Sequence, residues 1–273
     1  DYVQRLKASG SHELVRAWLE GDWSVIEGAF FDCWSVARHV VRPFAIPEHW
    51  LRFRSADWGS AAPFSVGWWA VAGDDFQLGG GGVLPRGALV RYREWYGASA
   101  PNTGLKLTAE QVARGIKDRE AGEKISYGVL DPAAFAVDGG PSIAQMMARE
   151  GVVFRPADNR RVSQKGALSG WDQMRARLVG DPDGRPMLFV FETCRDFIRT
   201  VPVLQHDPDR PEDVDTDAED HVADEARYAC MSRPYVPRVR EEKKPEGLIY
   251  EARPDGRIVA NKSVYEIVME KQR

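Results

Sequence analysis

The chain has 273 residues, a formal net charge of −4 at pH 7, 43% hydrophobic and 10% aromatic residues, and nine Trp. This composition supplies a sizeable packed core and excludes a disordered chain. The small negative charge argues against indiscriminate nucleic-acid binding across the whole surface. No apolar run resembles a membrane span or a signal peptide, so we expect a soluble intracellular protein with no membrane partner.

The first part of the chain carries a helical pattern that is too short to fold alone. Apolar positions such as Leu6 and Trp18 recur at helical spacing until Gly21 ends the pattern. The chain opens on Asp1 inside this pattern, which indicates a fragment of something longer. We expect residues 1–45 to be the end of a preceding domain and its linker.

Three apolar runs joined by short turns predict an antiparallel meander. The first run, 50–56, ends at Asp57, the second covers 64–71, and the third covers 88–96. The glycine run 79–82 lacks the Gly-Lys-Ser/Thr ending of a phosphate loop and precedes a strand rather than a helix, so we interpret it as a turn.

Helices and short strands alternate after the meander. Thr108 and Gln111 form the capping box of a helix that ends near Gly122, and Pro132 ends a strand over 125–130. The remaining predictions are a helix over 142–150, a strand over 152–154, a helix marked by Trp171, Met174 and Leu178, a strand over 187–191, a helix over 194–201, a helix beginning at Glu219, and a hairpin of 249–252 and 258–259.

Two carboxylates follow predicted strands. Asp57 follows the first strand and Asp131 follows the fourth. In mixed α/β sheets, sites form at the carboxyl ends of strands. A helical crossover permits the fourth strand to lie parallel beside the first. We therefore expect Asp57 and Asp131 to be neighbours.

The helix that begins at Glu219 carries an acidic cluster. Asp220, His221 and Asp224 are three or four residues apart and project towards one side of the helix. A solvated acidic helix end is the simpler interpretation, and turn-forming roles are the simpler interpretation of the two strand-end carboxylates. Taken together, the acidic cluster of the helix and the two strand-end carboxylates favour a site for a divalent cation, which would relieve the repulsion between the like charges.

Three converged carboxylates do not all ionise without a counter-cation. Two Mg²⁺ or Mn²⁺ ions about 3.5–4 Å apart would neutralise Asp57, Asp131 and Asp224 and clamp a scissile phosphate. One ion would activate the attacking water, and the other would stabilise the leaving 3′ oxygen. The sequence therefore predicts two-metal phosphodiester hydrolysis by these three residues.

Charge is unevenly distributed along the chain. Residues 151–180 carry six basic and two acidic side chains, whereas residues 207–225 carry ten acidic and one basic. A basic edge beside an acidic metal site suits a nuclease, because the DNA backbone must be held during cleavage; a solvated basic helix face is the alternative. The predicted DNA-binding residues are Arg160, Arg161, Lys165 and Arg175.

Seven short segments within about residues 14–230 match motifs of one known family. They are 18–23, 27–31, 43–47, 57–59, 131–133, 158–160 and 220–228. The last of these segments is the most specific, and Asp57-Trp58-Gly59 is the least specific when taken alone. Through these segments the sequence resembles the C-terminal nuclease domain of the large terminase subunit of tailed bacteriophages or prophages.

The resemblance implies a ribonuclease H-like fold, in which a mixed sheet of three antiparallel strands plus parallel strands is flanked by helices. It also implies metal-dependent cleavage of concatemeric viral DNA. The three acidic positions of the family correspond to Asp57, Asp131 and Asp224. His221 matches a position where some relatives have a histidine near the metals, and Asp220 is a further candidate ligand.

The resemblance also implies partners and a location. The partners are double-stranded DNA, a packaging ATPase domain on the N-terminal side, the portal and the small terminase subunit. The location is the cytoplasm of an infected or prophage-carrying bacterium. This chain has no Walker motif. We expect the nuclease domain to cover 46–232, and a tail or hairpin that matches no part of the family to cover 233–273.

Two alternatives stay open. Another ribonuclease H-like nuclease, of the resolvase or integrase type, would share the fold and the acidic triad. A non-catalytic DNA-binding or motor-docking module would share the fold alone. The linker-like pattern before residue 28 and the 220–228 motif favour a terminase, and the three intact carboxylates argue against a non-catalytic module. The sequence contains no recognition helix or zinc finger, so we expect cleavage with little sequence preference.

Overall fold

The computed structural model describes residues 28–163, 168–236, 250–252 and 257–260. The chain divides into a compact unit that ends at Pro237 and a second unit that follows it. The predicted N-terminal helical pattern and Lys165 lie outside the described residues, and the predicted boundaries at residues 45 and 232 stay predictions. Within the described part of the chain, no helix is long and apolar enough to cross a membrane.

Among the described residues, the helices and most of the strands lie in the first unit. The helices are α1 Val36–His39, α2 Ala109–Glu120, α3 Ile143–Arg149, α4 Gly170–Val179, α5 Arg195–Thr200 and α6 His221–Ser232, with 3₁₀ turns at Pro132–Phe135 and Val201–Val203. The strands of this unit are β1 Val40–Val41, β2 Leu51–Asp57, β3 Ser65–Val71, β4 Phe76–Gln77, β5 Val83–Leu84, β6 Leu89–Tyr96, β7 Ala98–Ala100, β8 Thr103–Gly104, β9 Gly128–Leu130, β10 Arg155–Pro156 and β11 Leu188–Phe191.

Seven of these strands form one mixed sheet, in the order β1-β11-β6-β3-β2-β9-β10. The central strands β2, β3 and β6 are antiparallel, and the outer strands on both sides add in parallel. The predicted meander and its parallel additions are therefore confirmed. Two short hairpins, β4–β5 and β7–β8, and the edge strand β1 were not predicted. They are two or three residues long and carry too little periodicity to be recognised.

Strand β9 lies beside β2 in parallel, as expected from the crossover rule. Arg54 is paired with Gly128 and Ala56 with Leu130. The backbone N–H of Asp131 donates to the carbonyl of Ala56 at 3.2 Å. This register brings the residue after β9 next to the end of β2.

Helices cover both faces of the sheet around two fully buried Trp side chains of β3. Trp68 Nε1 donates to Glu120 of α2 at 3.0 Å, and Trp69 Nε1 donates to Glu225 of α6 at 3.0 Å. Because successive side chains of a strand point to opposite faces, α2 and α6 lie on opposite faces of β3. The buried side of α2 consists of Ala109, Val112, Ala113 and Ile116.

The predicted strand over 152–154 is wrong, because this segment does not pair with a neighbouring strand. Val152 N–H instead donates to the carbonyl of Met147 at the end of α3. Phe154 is buried beneath the Arg54 guanidinium, which lies 4.7 Å from its ring. The apolar pattern reports burial of a loop, and pairing with β9 begins only at Arg155.

Two element boundaries also differ from the prediction. The predicted strand 125–130 is shortened to Gly128–Leu130. The final helix begins at His221 rather than Glu219, with Asp220 as its N-cap. In the second unit, β12 Tyr250–Ala252 and β13 Ile258–Ala260 form an antiparallel pair, which confirms the predicted hairpin.

His39 at the end of α1 is a buried titratable residue outside the candidate site. Its ring is fully buried and stacks on Trp34 with centroids 5.1 Å apart, and Nε2 lies 2.9 Å from the carbonyl of Leu178. Burial lowers the pKa of His39 below its ordinary value of 6.5. Below pH 6.5 the His39 imidazole is protonated more readily in the unfolded chain than in the folded protein. The His39 contribution to stability is therefore retained above 6.5 and lost as the pH falls.

We expect the free energy of unfolding of wild type to fall more than that of His39→Gln between about pH 8 and about pH 5.5. The measurement is urea unfolding of both proteins at both pH values. The difference between the two proteins isolates His39 from the other titrating groups. An identical pH dependence in the two proteins would contradict a buried neutral His39.

Candidate active site

Two carboxylates lie at the carboxyl ends of adjacent parallel strands. Asp57 is the last residue of β2 and is 8% exposed. Asp131 follows β9, and its Oδ1 accepts from the backbone N–H of Ala133 at 3.2 Å, which caps the 3₁₀ turn. Asp57 and Asp131 thus lie at the ends of two paired strands, as predicted from the sequence.

Helix α6 lies over these strand ends and presents polar side chains to Asp57. His221 Nδ1 is 3.3 Å from Asp57 Oδ2, and the Tyr228 hydroxyl donates to Asp57 Oδ1 at 3.5 Å. With Asp224, these residues have the spacing i, i+3, i+7, which places them on one side of the helix. The predicted helix therefore completes the site that begins at the ends of β2 and β9. Tyr228 was not predicted as a site residue, because an aromatic ring on the apolar side of a helix indicates a core residue.

The electrostatics of Asp57 reflect crowding of negative charge. Burial and then the charges of Asp224 and Asp131 raise the pKa of Asp57 to about 7, against the lowering effect of His221. Burial lowers the pKa of His221, but its hydrogen bond to Asp57 and the neighbouring carboxylates raise it overall. The three predicted catalytic carboxylates are therefore close enough to interact.

Asp220 is part of the same acidic group. It is buried, and burial together with the charge of Asp224 raises the pKa of Asp220 to about 6. Its side chain makes no capping hydrogen bond to α6. Asp220 Oδ2 instead accepts from Arg161 Nη2 at 3.3 Å, so this side chain pairs with a cation rather than capping its own helix.

Two arginines hold Asp224. Arg161 Nη1 donates to Asp224 Oδ2 at 3.0 Å, and Arg227 Nη2 donates to Asp224 Oδ1 at 2.8 Å. Arg227 also donates to the carbonyl of Asn159 at 2.6 Å. Both guanidinium groups lie near the ring of Trp171, at 5.1 Å and 5.0 Å from its centroid. Asp224 is therefore oriented by cations rather than by solvent.

Gly170 makes room for the Arg227 side chain at the start of α4. A Cβ at residue 170 would lie 2.1 Å from Arg227 Cγ and 2.5 Å from Cδ. We expect Gly170→Ala to lower the free energy of unfolding by about 1–3 kcal/mol, because the stem of a buried, hydrogen-bonded arginine must move. Urea unfolding measures this, with Gly79→Ala as the control because a Cβ there meets nothing within 4 Å. Equal stability of the two variants would contradict the close approach.

The predicted DNA-binding residues have mixed surroundings. Arg160 is about half exposed and pairs with Asp158. Arg175 pairs with Asp32 at 3.0 Å and donates to the carbonyl of Phe30 at 2.7 Å. Arg161 faces the carboxylates of the site. Their role in DNA binding stays a prediction.

A buried ion pair beneath α6 was not predicted. The carboxylate of Glu225 is fully buried and pairs with the fully buried Arg91 of β6. It also accepts from the Ser55 hydroxyl and from Trp69 Nε1. A Cβ at residue 67 would lie 2.3 Å from Glu225 Oε1, so the glycine of β3 provides the space. The available sequence signal was Arg91, the one charged residue in the apolar first half of the predicted strand over 88–96.

The donor set of the site suits a hard divalent cation. Carboxylate oxygens are preferred by Mg²⁺ and Mn²⁺, and an imidazole is a compatible further ligand. Asp57 is buried, and its side-chain partners among the described residues are His221 and Tyr228 rather than Lys or Arg. In their present arrangement, no three His, Cys, Asp or Glu side chains of the described ranges are spaced to hold a metal ion. The donors fit a divalent cation chemically, and Asp57, Asp131 and Asp224 would hold it. The two oxygens of Asp224 are now paired with Arg161 and Arg227.

Comparison with known proteins gives a likeness in structure. No family model matches the sequence, and no curated protein matches it. The nuclease domain of the P22 large terminase superposes with a TM-score of 0.54 at 19% identity, over 76% of this chain and 93% of that chain. The large terminase of a thermophilic bacteriophage, in complex with ADP, superposes with a TM-score of 0.55 at 17% identity, over 83% of this chain and 50% of that chain.

At these identities the likeness concerns the fold, and function has to be argued from the site. The mixed sheet and its flanking helices match those of the P22 domain over nearly its whole length. The ribonuclease H-like architecture implied by the sequence motifs is thereby confirmed. This protein has the fold of terminase large-subunit nuclease domains.

Proposed function

We propose that this protein is a metal-dependent DNA endonuclease that cuts concatemeric viral DNA during genome packaging. The observation that carries the proposal is the position of Asp57 and Asp131 at the ends of adjacent parallel strands, with α6 directing His221 towards Asp57 and Asp224 close enough to raise its pKa. The likeness to the P22 domain supports the same role.

In this proposal Asp57, Asp131 and Asp224 hold two Mg²⁺ or Mn²⁺ ions, with Asp220 and His221 as further ligand candidates. The bound ions would supply a nucleophilic water at neutral pH and stabilise the charge on the leaving oxygen. Buried carboxylates suit this task, because a low-dielectric site strengthens their attraction to a cation.

The protein's own groups prepare Asp57 for this task. His221 contacts one oxygen of Asp57 and Tyr228 contacts the other, so the carboxylate is held between two side chains of α6. The raised pKa of Asp57, about 7, means that the carboxyl holds a proton in acidic solution. Cation binding requires the ionised form, so we expect ion affinity and cleavage to increase as the pH rises towards 7.

The proposal extends to the partners that the resemblance implies. Arg160, Lys165 and Arg175 would contact the backbone of double-stranded DNA, which gives salt-dependent binding with little sequence preference. A packaging ATPase domain, the portal and the small terminase subunit would control cleavage in the cytoplasm of the host bacterium. The complex of the thermophilic bacteriophage's large terminase with ADP is compatible with a nucleotide-dependent partner domain.

Nicking of supercoiled plasmid by the purified chain with Mn²⁺ or Mg²⁺ tests the proposal. Wild type is expected to cut, and Asp57→Ala, Asp131→Ala and Asp224→Ala are expected to be inactive. Chelation of the metal should stop cleavage. Activity that survives Asp131→Ala and Asp224→Ala would place the active site elsewhere. A small set of discrete products from plasmid DNA would contradict cleavage with little sequence preference.

A non-catalytic DNA-binding module is the second candidate. The observation that favours it is the pairing of both Asp224 oxygens with arginines, which satisfies the carboxylate without a metal. A wild-type protein that binds DNA but neither binds Mn²⁺ nor cuts would support this candidate.

A further inference from the structure

The guanidinium of Arg161 lies among three carboxylates. Nε donates to Asp213 Oδ1 at 2.8 Å, Nη2 donates to Asp220 Oδ2 at 3.3 Å, and Nη1 donates to Asp224 Oδ2 at 3.0 Å. The Arg161 side chain is only 23% exposed. Charge-assisted bonds in a partly buried setting are stronger than neutral ones. Arg161 therefore acts as a counter-cation to the acidic group of α6.

Asp213 and Trp171 fix one edge of this guanidinium. Asp213 is buried, and its Oδ1 accepts from Trp171 Nε1 and from the backbone N–H of Val214, each at 2.8 Å. The Arg161 guanidinium also lies 5.1 Å from the Trp171 ring centroid. The Nε edge is thus anchored in the protein, while the Nη groups reach the two candidate metal ligands.

Occupation of Asp224 by arginines opposes occupation by a metal ion. Its Oδ1 accepts from Arg227 and its Oδ2 from Arg161. A divalent ion on the same carboxylate would take these oxygen lone pairs and repel the nearby guanidinium. Arg227 lies on the same helix as Asp224, whereas Arg161 comes from a separate segment and can be released without moving α6.

We propose that Arg161 is a positioning residue that competes with the divalent ion for Asp220 and Asp224, so that ion binding releases its Nη groups from both carboxylates. This inference rests on the proposed function, because it assigns Arg161 a role towards the metal of that site. The predicted DNA contact of Arg161 then belongs to the metal-bound protein, in which the released Nη groups meet a phosphate while Nε stays bound to Asp213.

Mn²⁺ binding to the whole chain without DNA tests the competition, measured from the electron paramagnetic resonance signal of free Mn²⁺. Arg161→Gln removes the competing charge, and we expect its Kd for Mn²⁺ to be about tenfold lower than that of wild type, or lower still. The matched control is Arg210→Gln, which removes the same charge from an exposed pair with Asp207. We expect the control to change Kd by less than about twofold.

Arg161→Lys is a second variant for the case that Arg161→Gln does not fold. The folding of both variants is checked by circular dichroism and urea unfolding. The lysine ammonium keeps the charge but lacks the planar fork that reaches Asp220 and Asp224 together. We expect its Kd for Mn²⁺ to lie between those of wild type and Arg161→Gln. If Arg161→Gln fails to fold, the Kd of Arg161→Lys decides the matter.

Unchanged or weaker Mn²⁺ binding by the folded variant overturns the competition, and the proposed function stands as long as wild type binds Mn²⁺ and nicks DNA. An equal gain in Arg210→Gln also overturns it, because net charge alone would then explain the result. Absence of Mn²⁺ binding in all four proteins overturns both the competition and the proposed function.

Discussion

Asp57→Asn is expected to abolish metal-dependent DNA cleavage and to make the metal-free protein more stable at about pH 8. We expect cleavage to fall on the order of 10³-fold, because the amide carries no charge to neutralise a divalent ion. The amide keeps the shape of the side chain and its hydrogen-bonding reach to His221 and Tyr228. A loss of cleavage with retained folding would assign Asp57 to the chemistry.

The expected gain in stability follows from the pKa of Asp57. Burial, together with the charges of Asp224 and Asp131, raises this pKa from 3.8 to about 7 in the folded protein. The folded state therefore binds the proton more tightly than the unfolded chain, and the free energy of unfolding falls as the pH rises from 3.8 towards 7. Ionised Asp57 therefore lowers the free energy of unfolding of the metal-free protein at about pH 8, and Asp57→Asn removes this cost.

Urea unfolding between about pH 4 and about pH 8 measures this effect in wild type and Asp57→Asn. The stability advantage of the variant should shrink steadily towards the acidic end, because Asp57 is protonated there in the folded protein and the unfolded chain begins to take up the same proton near its ordinary pKa of 3.8. Exposed Asp138 provides the control, because Asp138→Asn changes the same groups on the surface. A variant that loses both cleavage and stability at about pH 8 would make Asp57 a structural residue.

Glu225→Gln is expected to lower the free energy of unfolding by about 3 kcal/mol. The change leaves Arg91 fully buried without its main counter-charge, and breaking a buried pair from one side typically costs about 3–5 kcal/mol. Glu94 lies 3.5 Å from Arg91 Nε and retains part of the compensation, so we expect the lower end of this range. The amide can still accept from Ser55 and Trp69.

The measurement is urea unfolding of wild type, Glu225→Gln and the exposed control Glu192→Gln. The control should differ from wild type by less than about 0.5 kcal/mol, because surface substitutions away from special features are nearly neutral. A stability loss in Glu225→Gln no larger than in the control would contradict the importance of the buried pair. Because Glu225 and Asp224 are adjacent in α6, the same pair also fixes the rotation of the helix over the site.

Local sequence signals were sufficient for most of the first unit. The capping box of α2 and the turn at Pro132 depend on residues a few positions apart, and they were predicted for that reason. The neighbouring positions of Asp57 and Asp131 also followed from the sequence, because a helical crossover permits parallel pairing of their strands.

Tertiary structure decided which charged side chains meet. Arg161 was counted as part of a basic edge, yet it pairs with Asp213, Asp220 and Asp224, which lie 52, 59 and 63 positions along the chain. Glu225 belongs to the same acidic stretch, yet it faces the core. Adjacent helical positions differ by about 100°, so the composition of a stretch does not reveal the direction of each carboxylate.

The sequence by itself predicted a mixed sheet built on an antiparallel meander, the order of the main strands along the chain and the three candidate carboxylates, because periodicity, turns and capping act over short distances. Its resemblance to a known family supplied the ribonuclease H-like fold class. The sequence did not determine that the 152–154 segment is a buried loop, nor that Arg161 and Arg91 are counter-cations of α6. An apolar pattern reports burial without naming the partner. A charge finds its partner only when helices and strands distant in sequence are packed together.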